Sequence, residues 1–386
     1  MPETVMIVAG ETSGELYGAL LAASLRKKIP DLQIIGIGGR RMQSAGVRLV
    51  AGIASAFGMA EAVSALRELR KSFQNAVDAL TKETPSVLVL IDYPDFNLRL
   101  AEKAKQRGIK VLYYVSPQVW AWRRKRIYRI ARLVDRMAVI LPFEVDIYRE
   151  TGLDCEFVGH PVYDEIRGDK IRGTTADKSR LKEALGLDPG RPLLSLLPGS
   201  RTHEIDRLLP VLAALMDIFS SEFRDFQFCI PFAPNTDLAK YAALLEPLEK
   251  RGVMINQGRS LEVLASSDCA VLASGTATLQ AVLLNVPIVV IYKVSLLTYL
   301  IGRLLIHARF MTLANILADR EVVKEFLQGQ VTLRNIMEEL RKIMTDGRHR
   351  AEMLDSYGKI QDIFSSRHAS DRVAEMAIEM AGWKKS

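Results

Sequence analysis

Short apolar runs alternate with helical patterns along most of this chain, and the alternation restarts halfway along it. Strands separated by helices must cross over and pair in parallel, so the pattern dictates βαβ units in doubly wound sheets. In the first half, strand candidates fall at 5–9, 33–37, 87–91, 110–115, 136–140 and 156–158, with helical stretches Glu15–Lys27, Glu61–Lys82 and Leu98–Arg107 between them. A polar, turn-rich stretch from Pro161 to Arg191 reads as a linker. The pattern resumes with strands at 193–197, 226–231, 252–256, 268–272 and 287–292, and helices from about Glu204, Thr236, Ser260 and Thr276. From Arg320 onward only helical periodicity is expected, ending in an amphipathic helix over Ser370–Trp383. The expected architecture is α/β: two Rossmann-like doubly wound domains, 1–165 and 166–365, facing a cleft, with the helix at about 366–386 packing back on the first.

A length of 386 residues allows each domain its own core, and 49% hydrophobic with 25% charged residues is ordinary for a folded chain. The net charge of +7 favours an anionic partner. Cys155, Cys229 and Cys269 are few and far apart, which points to a reducing compartment and away from a disulfide framework. No signal peptide is expected, because the start runs almost at once into Val5–Ala9. The most apolar stretch, Val286 to Ile306, is interrupted by Lys293 and Arg303, short of the roughly 18 unbroken residues a membrane span needs. It reads as a buried strand followed by an apolar helix. Over 294–311 the basic rim of Lys293, Arg303, His307 and Arg309 suits an interfacial helix against anionic lipid, a packed core helix being the plain alternative.

Two small glycine-containing loops follow apolar strands and open helices in the second half: Pro198–Gly199–Ser200–Arg201 and Ser274–Gly275–Thr276. A helix start presents unpaired N–H groups and the positive end of the helix dipole, so two of them side by side suit a diphosphate. Arg201 adds a guanidinium, and Gln280, one turn into its helix, lies within reach of ribose hydroxyls. In the first half, Ala9-Gly-Glu-Thr-Ser-Gly-Glu15 opens the first helix and places Glu11 in the loop; its glycine spacing is not that of a dinucleotide fingerprint. Ile91-Asp-Tyr-Pro-Asp-Phe-Asn97 puts Asp92 and Asp95 at the end of a central strand, where one of them can accept a proton; capping of the next helix by Asp95 or Asn97 is the plain alternative. Trp120 and Trp122 lead into Arg123-Arg-Lys-Arg126, an amphipathic helix whose basic face suits a phosphate-bearing surface rather than nucleic acid. His160 is read as structural in preference to catalytic, and no Cys/His cluster has the spacing of a zinc site.

The set AGETSGE, DYPDFN, YVSPQVWAWRRKR, LPFE, FVGHPV, LLPGSR, LASGTATLQ and NILADREVVKEFLQ, in this order across most of the chain, resembles the lipid-A-disaccharide synthases. The resemblance implies a GT-B glycosyltransferase that inverts the anomeric centre. It would move 2,3-diacylglucosamine from UDP-2,3-diacylglucosamine to the 6-hydroxyl of 2,3-diacylglucosamine 1-phosphate, giving the β-1,6 disaccharide 1-phosphate and UDP. It implies Asp95 as general base with Glu11 beside it. Ser13, Gly14, Gly199, Ser200, Arg201, Ser274, Gly275, Thr276, Gln280 and Asn315 are implied as the substrate- and UDP-binding set, with no metal and no cofactor. It further implies a cytoplasmic protein, peripheral on the cytoplasmic face of the inner membrane and touching its anionic surface, with self-association as a homodimer left open. Gln280 stands where the family carries Glu, Gly14-Glu15 where it has Gly-Asp, and Ala314-Asn315 where it has Pro-Asn. A UDP-sugar epimerase or hydrolase on the same fold, or a non-catalytic lipid or nucleotide binder, are the other readings.

Overall fold

The computed structural model describes residues 3–52, 61–168, 175–295, 299 and 309–384. The chain forms two compact units, Met1–Glu165 with Arg367–Ser386, and Ile166–Ser366.

The first unit is built on a seven-stranded sheet: β1 (Thr4–Ala9), β2 (Gln33–Gly38), β3 (Arg48–Gly52), β4 (Val87–Ile91), β5 (Lys110–Tyr114), β6 (Arg136–Val139) and β7 (Asp154–Phe157). Its spatial order is β3-β2-β1-β4-β5-β6-β7 with every pairing parallel. Helices α1 (Thr12–Lys28), α2 (Arg40–Ser44), α3 (Glu61–Lys82), α4 (Pro94–Lys105), α5 (Ile127–Leu133), α6 (Glu144–Arg149) and α7 (Pro161–Gly168) connect or follow the strands. β1 and β4 are buried along their whole length, which is why Val87-Leu-Val-Leu-Ile91 reads as an unbroken apolar run rather than an alternating one.

The second unit holds β8 (Leu193–Leu197), β9 (Gln227–Phe232), β10 (Met254–Gln257), β11 (Cys269–Ala273), β12 (Ile288–Tyr292) and β13 (Lys324–Leu327), in the order β10-β9-β8-β11-β12-β13, again all parallel. Its helices are α8 (Thr175–Ala184), α9 (Thr202–Glu222), α10 (Ala242–Glu249), α11 (Ser260–Ser266), α12 (Thr276–Leu283), α13 (Leu313–Ala318), α14 (Leu333–Thr345) and α15 (Gly347–Ser365). At the sheet's amino-terminal edge the Asp268 carboxylate accepts hydrogen bonds from the Leu193 N–H at 2.9 Å and from the buried Lys182 ammonium at 2.9 Å, tying α8 to β8 and β11. Burial works to raise this carboxyl, yet those two bonds and the Lys178 charge outweigh it and hold Asp268 below its ordinary range.

The last helix, α16 (Ala369–Ala381), returns to the first unit and packs along α1. Arg372 grips both Glu156 oxygens, at 2.6 and 2.8 Å, and reaches Glu379 at 2.9 Å; Lys28 pairs with Glu375 at 3.0 Å. Val373, Met376, Ala377 and Met380 supply the buried face.

Four features depart from the sequence expectation. Pro161–Arg191 contains α7 and α8, with Val162, Ile166, Leu181 and Leu185 buried, so it is not a bare linker. β13 interrupts the all-helical stretch expected after Arg320, and β3 lies where no strand was expected. The basic segment 123–136 is not one helix: it is a short 3-10 turn over Arg124–Arg126, then α5, and Arg136 already belongs to β6. Of the apolar segment 294–311, residues 296–298 and 300–308 lie outside the described residues. Among the described residues no helix is long and apolar enough to cross a membrane.

Candidate active site

In a doubly wound sheet ligands collect at the carboxyl ends of the strands, at the point where the strand order reverses. That point lies between β1 and β4 in the first unit and between β8 and β11 in the second. The loops singled out from sequence emerge at these two places: Gly10–Glu11 after β1, Asp92–Asp95 after β4, Pro198–Arg201 after β8 and Ser274–Thr276 after β11.

In the first unit, Glu11 precedes α1, and Ser13 and Gly14 lie in its first turn. A Cβ at Gly10 would stand 2.2 Å from the Tyr93 ring, so this glycine makes room for Tyr93 rather than for a ligand. A Cβ at Gly14 would make ordinary contact with Ala9 and Ile91, which marks Gly14 as the close-packing point of α1 on its sheet. Glu15 accepts the Arg41 N–H at 2.8 Å and so is committed to the start of α2.

The turn after β4 is strained. Asp92 and Tyr93 both take left-handed backbone conformations, φ +46° and +49°, and at the neighbouring strand end Val115 has φ +66°, costly for a β-branched residue. Buried hydrogen bonds hold the turn in place. The Asp92 carbonyl accepts from Asn97 Nδ2 and Tyr113 Oη, both at 2.6 Å, and the Asp92 N–H donates to the Tyr114 carbonyl at 3.1 Å. Asn97 therefore anchors the turn, and neither it nor Asp95 caps α4.

The three carboxylates of this site differ in environment. Burial, then the Glu11 charge, push Asp92 up to about 6, against the Tyr93 N–H it accepts. Among the described residues no cation pairs with the Asp92 side chain. Asp95 is well exposed and ion-paired with Arg126, itself mostly buried. Burial first, then the charges of Glu11 and Asp95, raise the Tyr93 phenol, so this ring stands in the field of both acids. His160 is buried and accepts the Val162 N–H on Nδ1 at 3.2 Å; burial pushes it down to about 3, which keeps it neutral and structural.

In the second unit, Arg201 precedes α9 and exposes its guanidinium. The leading N–H groups of this loop are already engaged. Glu204, nearly fully buried, accepts from Ser200 N–H at 3.1 Å and from Arg201 N–H at 3.3 Å. Sequence reasoning missed Glu204 as part of the site; an acid three residues into a helix after Gly-Ser-Arg was the available signal. On the adjacent strand, Gly275 is exposed at the start of α12, with Ser274 and Thr276 partly so, while Thr278 turns inward to the Gly275 carbonyl at 2.7 Å. Gln280 is partly exposed one turn into α12. At the end of β12, burial, then the Glu204 charge, raise the Tyr292 phenol, with Arg201 opposing.

Asn315, like Gly14, is turned away from any ligand. It has no exposed surface, and its amide is saturated: Nδ2 donates to the Val323 carbonyl at 2.9 Å and Glu325 at 2.8 Å, while Oδ1 accepts Val322 and Val323 N–H at 2.7 and 2.9 Å. It ties α13 to β13 and presents nothing to a ligand. Among the described residues no group of three or more His, Cys, Asp or Glu is placed to hold a metal ion.

Two parallel sheets of Rossmann order, with paired loops at their switch points, define the GT-B class, which serves glycosyltransferases and UDP-sugar epimerases. Solved structures agree on that fold. A UDP-GlcNAc 2-epimerase from Neisseria meningitidis aligns with a TM-score of 0.67 at 14% identity, covering 97% of this chain and 100% of its own. A glycotransferase of kitacinnamycin aligns with a TM-score of 0.64 at 14% identity, covering 98% of this chain and 99% of its own. The sequence decides between the branches. The family model for lipid-A-disaccharide synthetase matches residues 5–378. The lipid-A-disaccharide synthase of Myxococcus xanthus is 42% identical over 381 residues, 98% of each chain, and that of Syntrophus aciditrophicus is 40% identical over 378 residues, 97% of each. The chain belongs to the lipid-A-disaccharide synthase family and is a glycosyltransferase.

Proposed function

We propose that this enzyme transfers 2,3-diacylglucosamine from UDP-2,3-diacylglucosamine to the 6-hydroxyl of 2,3-diacylglucosamine 1-phosphate, releasing UDP. The observation that carries the reading is the pair of loops at the β8/β11 switch point, with the Arg201 guanidinium at the mouth of one and the start of α12 at the other. Arg201 and the Ser274–Gly275–Thr276 amides hold the diphosphate and stabilise the charge that grows on it as the sugar leaves. Gln280 bonds the ribose hydroxyls without adding charge. Gly199 and Ser200 shape the loop, and Asn315 acts at a distance by fixing α13.

The acidic turn of the first unit serves the acceptor. Asp95 has the most exposed carboxylate after β4 and takes the proton of the attacking hydroxyl, with Arg126 holding it in place. Glu11 and Ser13 lie at the neighbouring strand end. Asp92, half-buried in the same turn as Asp95, keeps the local field negative. The phosphate and acyl chains suit a basic, aromatic surface: Arg123 stacks over Trp122 at 4.4 Å, Tyr128 is 55% exposed, and Arg124 and Arg132 flank them. We place the enzyme on this ground at the anionic cytoplasmic face of the inner membrane.

The test is reconstitution. Purified protein, with chelator and no added metal, is mixed with the two lipid substrates in detergent, and UDP and disaccharide are followed by mass spectrometry. Equal amounts of both products are expected. UDP without disaccharide would assign a hydrolase, and neither product would return the chain to a binding role.

A further inference from the structure

Glu204 is a buried carboxylate built into the loop where an anionic ligand is expected. It sits one turn into α9, 5% exposed, with one oxygen taking the Ser200 and Arg201 N–H groups and the other 3.6 Å from Arg201 Nη1. Gly199 has a left-handed backbone, φ +107°, and a Cβ there would stand 2.4 Å from Glu204 Oε2. The glycine thus lets the carboxylate lie flat against the turn. A diphosphate seeks the same partners, backbone N–H groups and a guanidinium, so Glu204 and a bound nucleotide draw on one set of donors. On the adjacent strand the segment from Ser274 to Gln280 carries no acid at all.

We infer that Glu204 is a positioning residue of the donor site. It takes the Ser200 and Arg201 amides for itself, stiffens the turn and holds the Arg201 guanidinium at its mouth. The diphosphate is then gripped by the Arg201 side chain and the Ser274–Thr276 amides, not by the turn after β8. This arrangement separates the two loops by role: one aims a charge, the other offers free amides. A plain helix cap would use the same bonds but would have no coupling to Arg201 in ligand affinity. The inference rests on the donor-site reading above.

UDP binding to the full chain, measured by titration calorimetry, tests both separately. Glu204→Gln keeps an oxygen for the two N–H groups but loses the one beside the Arg201 guanidinium, so its Kd for UDP rises by about threefold, less than for the alanine variant. Glu204→Ala frees the turn and the guanidinium, and Kd rises about tenfold. In an Arg201→Gln background the same Glu204→Ala change alters Kd by less than about twofold, because the group it positions is gone. Where the alanine variant fails to fold, Glu204→Asp replaces it, withdrawing the carboxylate by one methylene; a loss of about fivefold is expected, again abolished by Arg201→Gln.

Three results overturn the inference: Glu204→Ala, or Glu204→Asp in its place, binding UDP as the parent does; its loss persisting undiminished without Arg201; or a folded Glu204→Gln variant as damaged as the alanine one. A parent chain that binds no UDP would instead refute the donor-site reading.

Discussion

Asp92→Asn should stabilise this protein at neutral and alkaline pH and leave it nearly unchanged in acid. Asp92 is itself part of the strained turn at the end of β4, and its carboxyl is raised from 3.8 to about 6, by burial first and by Glu11 second. Ionising it in the folded chain is therefore harder than in the unfolded one by about 3 kcal/mol, since a tenfold change in an equilibrium is about 1.4 kcal/mol. An acid whose folded value lies above its unfolded value costs stability wherever the unfolded chain is ionised. That cost is absent well below 3.8, grows between 3.8 and about 6, and is constant above.

Integrated over those limits, the penalty is about 0.5 kcal/mol at pH ~4, about 1.5 at pH ~5 and about 3 at pH ~8. The amide accepts the Tyr93 N–H less strongly than a carboxylate does, which leaves a net gain of roughly 1–3 kcal/mol at pH ~8. Urea unfolding of parent and variant at pH ~5 and ~8 reads this as a gap in midpoint that widens with pH. A Glu11→Gln background should narrow the gap, because the second cause of the raised value is then gone. A gap independent of pH, or a variant less stable than the parent at alkaline pH, would refute the account of Asp92 as a half-buried, unpaired charge. Activity should move the opposite way from stability, as expected where a strained site is retained for function.

The remaining predictions concern other parts of the molecule. Asp95→Asn should lower kcat by about a hundredfold or more in the reconstituted reaction; activity within a few-fold of the parent would remove Asp95 as the proton acceptor. Asp268→Ala takes the counter-charge from the buried Lys182 ammonium, leaving it only the Arg191 carbonyl, and strands the Leu193 N–H; it should cost about 3–5 kcal/mol in denaturant unfolding, and a change below about 1 kcal/mol would show that water replaces the carboxylate. Asn315→Ala strands the Val322 and Val323 N–H groups and should cost roughly 2–4 kcal/mol, with activity lost in step with folding. An alanine variant as stable as the parent but inactive would instead put Asn315 in contact with substrate.

What could be read from the sequence follows from where each element is buried. The central strands β1, β4, β8 and β11 lie inside their sheets and are buried along their length, so each appears as an apolar run, broken only by small polar residues such as Ser195, and its carboxyl-end loop could be placed to the residue. β3 and β13 close opposite ends of their sheets. Arg48-Leu-Val-Ala-Gly52 and Lys324-Glu-Phe-Leu327 are only partly buried, and their pattern is too short and too mixed to stand out from a loop or a helix turn. The switch-point loops were legible for the same reason as the strands that feed them. The allocation of their atoms was not, because it depends on contacts across the fold. Whether Asn315 faces a ligand or a strand is decided by Val322, Val323 and Glu325, and whether the N–H groups of Ser200 and Arg201 are free is decided by Glu204. A motif names the residues that meet at a site, while burial and hydrogen-bond competition decide which of them are left to touch a substrate. On that division Arg201, Asp95 and Gly275 are left exposed, while Glu204, Asn97 and Asn315 are taken up in bonds within the fold.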